Sequence, residues 1–181
     1  MKINKKFNKN GFRSKIMISK FNPIIEKMYD LFEEIEFPEC HECSECCYLP
    51  WILKEEYNSH LENFGKTMKE INSVAFIMDT ESCRYAKENR CTLYEDRPLD
   101  CRLFPLDIIK EDEKYWWVIF TICPQHEIIR DKLIPLIPKL ESMISKDIFE
   151  QYKNQITLTK KMYLPYKLKK YEKIKKFQKN Y

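Results

Sequence analysis

Four cysteines fall within eight residues, Cys40-x2-Cys43-x2-Cys46-Cys47, and four more, Cys83, Cys91, Cys101 and Cys123, follow before residue 124. No feature of the chain restricts its fold more, because thiols this crowded either cross-link or share a metal. The first 20 residues are basic, with no apolar run and no small-residue cleavage site, so they do not read as a secretory signal. The chain is therefore expected in the cytoplasm, where thiols stay reduced and clustered cysteines act as metal ligands rather than disulfides.

Two-residue spacing lets successive sulfurs turn toward one point, in zinc knuckles and in iron–sulfur loops alike. C-x2-C-x2-C is the opening of bacterial ferredoxins, whose remote fourth ligand precedes a proline. Cys123-Pro124 has that form. The gaps Cys83-x7-Cys91-x9-Cys101 do not make a zinc ribbon, which needs paired C-x2-C. Adjacent Cys46 and Cys47 suit two sites better than one small ion. One partition is Cys40, Cys43, Cys46 and Cys123 with a second site of Cys47, Cys83, Cys91 and Cys101; spacing leaves the partition open, and one ligating cysteine beside a packing one is the alternative.

An iron–sulfur cluster, favoured as [4Fe–4S], or zinc is thus the expected cofactor. Four thiolates around either centre leave net negative charge. Arg97 and Arg102, set beside Pro98 and Cys101, are the candidates to offset it and hydrogen-bond around the sulfurs. His41 and His126 flank Cys40 and Cys123 and could each replace a thiolate. Radical S-adenosylmethionine chemistry needs C-x3-C-x2-C, and Pro50 occupies the third position after Cys43-x3-Cys47. No Ser/His/Asp set is suggested, and no catalytic residue emerges.

The 181 residues suit one domain able to bury a core. Gly11 and Gly65 are the only glycines, which excludes the glycine-rich loops that cradle nucleotide phosphates. Charge is segregated. Residues 1–20 carry seven Lys/Arg and no acid, and residues 153–181 carry ten Lys and one acid, Glu172. The segment 21–152 holds 27 of the 28 acids. The expected organisation is a basic arm (1–20), a cysteine-cluster domain (21–152, motif core 38–123) and a basic tail (153–181). The tail mixes Lys with aromatics, which suits nucleic acid or an anionic surface, or else folding against the acidic body. No 18-residue apolar run exists to span a membrane.

Local patterns predict an α+β chain: flanking helices, cysteine-rich loops and a short hairpin. Asn22 and Pro23 open a helix to about Glu36 with Ile24, Met28, Leu31, Phe32 and Ile35 on its apolar face. A second helix, about Lys54 to Phe64, shows a Leu53, Tyr57, Leu61, Phe64 stripe, places His60 on its surface, and has Gly65 at C′. Residues 73–78 read as a strand, and 82–105 as short strands and turns. Residues 103–109 and 114–121 read as a hairpin in which Trp116 and Trp117 face opposite sides. Beyond Pro124 two helices are expected, broken by Pro135 and Pro138.

The first cluster, followed by Cys83-x7-Cys91-Thr-Leu-Tyr94-x2-Arg97-Pro98-x2-Cys101-Arg102-x-Phe104-Pro105, resembles the CxxCxxCC family of zinc- or iron-chelating domains over about residues 38–123. Where many members have a glycine in the first loop, this one reads Ser44-Glu45. The resemblance implies a small metal-binding protein whose protein partner or substrate is unknown. The flagellin lysine N-methylases are similar in the cysteine motif and are linked to an iron–sulfur cluster, which implies a methyltransferase-like enzyme as the alternative. A zinc module binding nucleic acid through the basic ends is a second alternative.

Overall fold

The structure is a computed structural model. It describes residues 22–33, 35, 50–72, 74–77, 85–87, 90–92, 96–162 and 170–179. Cys40, Cys43, Cys46, Cys47, Cys83 and His41 lie outside the described residues, as do Pro38 and the arm expected over residues 1–20.

Helix α1 (Pro23–Glu33) starts as expected: the Ile24 amide donates to Asn22 Oδ1 at 2.9 Å. Of its expected apolar face, Met28 and Phe32 are buried and Leu31 and Ile35 pack against the core, while Ile24 is 37% exposed. Ile25 and Tyr29 are buried on that face as well, and the Tyr29 hydroxyl meets a buried polar partner there. The next helix begins with a 3-10 turn (Lys54–Glu56) and continues as α2 (Tyr57–Phe64). Leu61 is exposed and His60 is buried, at 1% exposure, which corrects the surface placement of His60. Gly65 ends α2 in right-handed geometry, not the expected left-handed C′ form. A Cβ there would sit 2.6 Å from the Leu61 carbonyl oxygen, so close approach is what requires glycine.

Three antiparallel sheets follow. The first orders β1 (Trp51–Ile52), β3 (Val74–Ile77) and β2 (Met68–Ile71). The second pairs β4 (Ala86–Lys87) with β5 (Arg90–Cys91). The third orders β6 (Leu106–Glu111), β7 (Lys114–Phe120) and β8 (Tyr171–Lys176). Strands β6 and β7 are the expected hairpin. Its two-residue turn is built without glycine: Asp112 and Glu113 take φ of 48° and 58°. Trp117 points into the core, and Trp116 lies under the Lys173 ammonium at 5.1 Å.

Between β5 and β6 the chain forms helix α3 (Leu99–Leu103), where only strands and turns were expected. After β7 there are three helices instead of two: α4 (His126–Leu133), α5 (Ile137–Met143) and α6 (Lys146–Met162). Pro135 and Pro138 fall in the first turns of the segments they open, where a missing amide costs nothing.

One core joins α1, α3 to α6 and the third sheet, with Trp117, Ile108, Ile148 and Phe177 among its residues, and it takes in Trp51, Leu53 and Val74 from the first sheet and its flank. A smaller cluster, Ile52, Met68 and Ala75, packs with Tyr57 and Tyr85 under the first sheet. The basic segment 153–181 is divided between the end of α6 and β8. Lys173 pairs with Glu111, Lys175 Nζ donates to Glu141 at 2.8 Å, and Lys179 Nζ donates to the Ile144 carbonyl at 2.5 Å. These lysines fold against the acidic body.

Candidate metal centre

Helix α3 carries the second half of the cysteine motif, Arg97-Pro98-Leu99-Asp100-Cys101-Arg102-Leu103-Phe104-Pro105. It is short because Pro105 forces Phe104 out of helical geometry, to ψ 133°. Its first amide, Leu99 N–H, donates to Glu56 Oε1 at 2.7 Å, so a carboxylate sits at the positive end of the helix. Asp100 Oδ2 accepts from the Trp51 amide at 3.2 Å, tying α3 to β1.

Glu56 is completely buried. Besides Leu99 it accepts from the Leu53 amide at 3.1 Å and from the Tyr29 hydroxyl. That hydroxyl accepts in turn from His60 Nε2 at 3.2 Å. Arg102 is buried, donates through Nε to the Arg97 carbonyl at 2.9 Å, and lays its guanidinium 4.2 Å from the centre of the Tyr29 ring. One carboxylate thus joins α1, the 3-10 turn and α3, and one guanidinium closes the join from the other side of Tyr29.

Burial pushes the Tyr29 phenol far up, the Glu56 carboxylate adds to that, and Arg102 opposes it. Burial also raises Asp100 well above the usual carboxylate range, with the Asp107 charge adding to it. Asp107 itself is pushed up to about 7 by burial, against the bond its carboxylate accepts from the Ile108 amide.

Cys101 is half-buried in α3, and Cys91 is half-buried opposite Ala86 in β5. Cys123 is buried just beyond β7. The Phe120 amide donates to the Pro105 carbonyl at 2.9 Å, so Cys101 and Cys123 belong to the same end of the β6–β7 hairpin. His126 Nδ1 donates to the Cys123 carbonyl at 2.8 Å. Among the described residues, no three His, Cys, Asp or Glu side chains converge on one metal position. Cys91, Cys101, Cys123 and His126 therefore do not form a complete ligand set by themselves.

The undescribed segment with Cys40 to Cys47 leaves from Ile35, which packs on the core, and returns at buried Pro50. Both flanks, α1 and β1, are packed on α3. Cys83 lies three residues before Ala86, the partner of Cys91. The candidate donors are soft thiols, and buried Arg102 follows Cys101 in α3, which fits zinc or iron chemically.

Residues 39–124 match the family model CxxCxxCC, described as "Putative zinc- or iron-chelating domain". This segment is a CxxCxxCC domain. This description supports a general metal-binding role for the segment, with zinc or iron. No curated protein and no solved structure matches the chain. Among the described residues no helix is long and apolar enough to cross a membrane.

The CxxCxxCC domain spans all eight cysteines, Arg97 and Arg102, and leaves α1 outside. The Tyr29–Glu56–His60 network was not anticipated. Its signal was present: Glu56 and His60 are four apart and share a helix face, which turned out to be the buried one.

Proposed function

We propose that the CxxCxxCC domain holds an iron–sulfur centre, [4Fe–4S] in preference to zinc, with ligands drawn from Cys40, Cys43, Cys46, Cys47, Cys83, Cys91, Cys101 and Cys123. The observation that carries this reading is the convergence on α3: both flanks of the first cysteine segment pack on the helix that bears Cys101, and Cys123 leaves the hairpin at that helix's end. The ferredoxin-like opening and the lack of paired C-x2-C favour the cluster over zinc. When bound, such a centre supplies electron transfer or Lewis acidity.

The chain's own residues would do three things. Arg102 would set positive charge beside Cys101 and lower the cost of thiolate. Arg97 would support it through the carbonyl that accepts from Arg102 Nε. The apolar surroundings of Cys123 would exclude water from that sulfur. A reducing cytoplasm would keep these thiols available to metal.

The test substitutes Cys43→Ser and Cys101→Ser separately and counts zinc, iron and sulfide per chain. Each substitution is expected to lower the metal content. Full metal content in both variants would reject these residues as ligands.

A further inference from the structure

We propose that Tyr29 is a positioning residue for this centre: its ring holds the guanidinium of Arg102, the residue that follows Cys101 on α3, and its hydroxyl ties that guanidinium to the buried Glu56 carboxylate. The inference rests on the metal-centre reading above. Tyr29 belongs to α1, outside the matched segment 39–124, so the cysteine motif alone does not contain it.

A buried guanidinium is costly unless something fixes and compensates it. Here Arg102 has the Arg97 carbonyl on Nε and the Tyr29 ring face 4.2 Å from its carbon. The hydroxyl of the same ring donates to Glu56, which draws negative charge onto the phenol and strengthens its attraction for a cation. Glu56 is in turn fixed by the Leu53 and Leu99 amides, so it cannot swing away. The result is a chain of contacts, Glu56 to Tyr29 to Arg102, ending on the helix whose Cys101 would carry negative charge in a metal complex. Nothing in it requires a proton to move. It sets where the positive charge stands.

The test uses the full chain purified with its metal. It measures how fast excess chelator removes that metal from wild type, Tyr29→Phe, Tyr29→Leu, Arg102→Gln and the Tyr29→Leu/Arg102→Gln double variant. Metal content and melting temperature are recorded for each. Phe32→Ala, which removes a buried side chain from the same helix, serves as the stability control.

All are expected to load metal. Tyr29→Leu and Arg102→Gln should each speed metal loss about tenfold, and Tyr29→Phe about threefold. The double variant should lose metal no faster than Arg102→Gln alone, because the ring then has no guanidinium to hold. Phe32→Ala should leave the rate near wild type despite a lower melting temperature.

Multiplying effects in the double variant, or equal acceleration by Phe32→Ala, would overturn the proposal. If Tyr29→Leu does not fold, the same cycle is read with Tyr29→Phe. A wild-type chain without metal overturns the metal-centre reading and this inference with it. A metal-bearing wild type with multiplying effects overturns only this inference.

Discussion

Two buried glutamates show how differently the two halves of the molecule are held. Glu141, between α5 and the third sheet, accepts from Trp117 Nε1 at 2.9 Å and from the Lys175 ammonium. It sits where long elements already pack: β7 has 7 residues and α6 has 17. Glu56, in the cysteine-bearing half, is held by two backbone amides and a phenol. Beside it, as well as α1 and α2, stand the two-residue strand β1, which follows Pro50, and the five-residue helix α3. Elements that short are not stable alone, and the apolar cluster under the first sheet is small. One half therefore rests on apolar packing and uses a charge pair as an addition. The other shares that core through Trp51, Leu53, Val74, Leu99 and Leu103, but its short elements rest in addition on a polar clamp and, in our reading, on metal.

Removing the metal should break the symmetry between the halves most strongly. A structural metal can contribute about 10–16 kcal/mol, comparable with the ~5–15 kcal/mol of a whole domain. With chelator present, amides of residues 50–103 should lose hydrogen-exchange protection while those of β6, β7 and α6 keep theirs. Uniform loss, or none, would merge the two regions into one unit. Next in size, Glu56→Ala leaves two amides and a phenol buried without their acceptor and should cost about 3–5 kcal/mol in urea unfolding. Glu141→Ala should cost about 2 kcal/mol, because Lys175 can still reach water. If the order of the two costs is reversed, the contrast drawn here fails.

A smaller effect tests the seam between the halves. Asp107 lies in β6, and its carboxyl is raised from 3.8 to about 7 in the folded chain. Below the unfolded value both states hold the proton, and the group costs nothing. As pH rises toward 7 the unfolded chain ionises first, so stability falls; above 7 the penalty is constant. Asp107→Asn should remove that fall. The variant should match wild type below pH 4 and be the more stable of the two at pH 8. Melting curves across this range would check it, and a gain that grew toward acid would contradict the burial argument.

Legibility from sequence also divides along these halves. The α1 start was readable because Asn22-Pro23 carries its own capping chemistry, and the β6–β7 hairpin because KYWWVIFT suits only a strand. The cysteine spacing carried the family resemblance, which the match over residues 39–124 bears out. What escaped was set by long-range contacts. His60 looked like a surface residue because its buried partner, Tyr29, lies 31 residues away. Ile24 and Ile25 are locally equivalent, and only the direction of the Tyr29 contact chooses between them. For the basic tail, folding against the acidic body was one of the readings open in the sequence, and the specific partners of Lys173 and Lys175, Trp116 and the Glu141 carboxylate, appear only once β8 pairs with β7. Helix α3 is too brief for periodicity to reveal. Its formation depends on Glu56 reaching its first amide from another segment.

The most direct measurement of the central claim is anaerobic purification of the full chain, with a visible spectrum and a count of iron, acid-labile sulfide and zinc. The account predicts a coloured protein with iron and sulfide in equal number. A colourless chain holding zinc and no sulfide would contradict the cluster assignment, and a folded chain holding neither metal would contradict the claim that its cysteines build a metal centre.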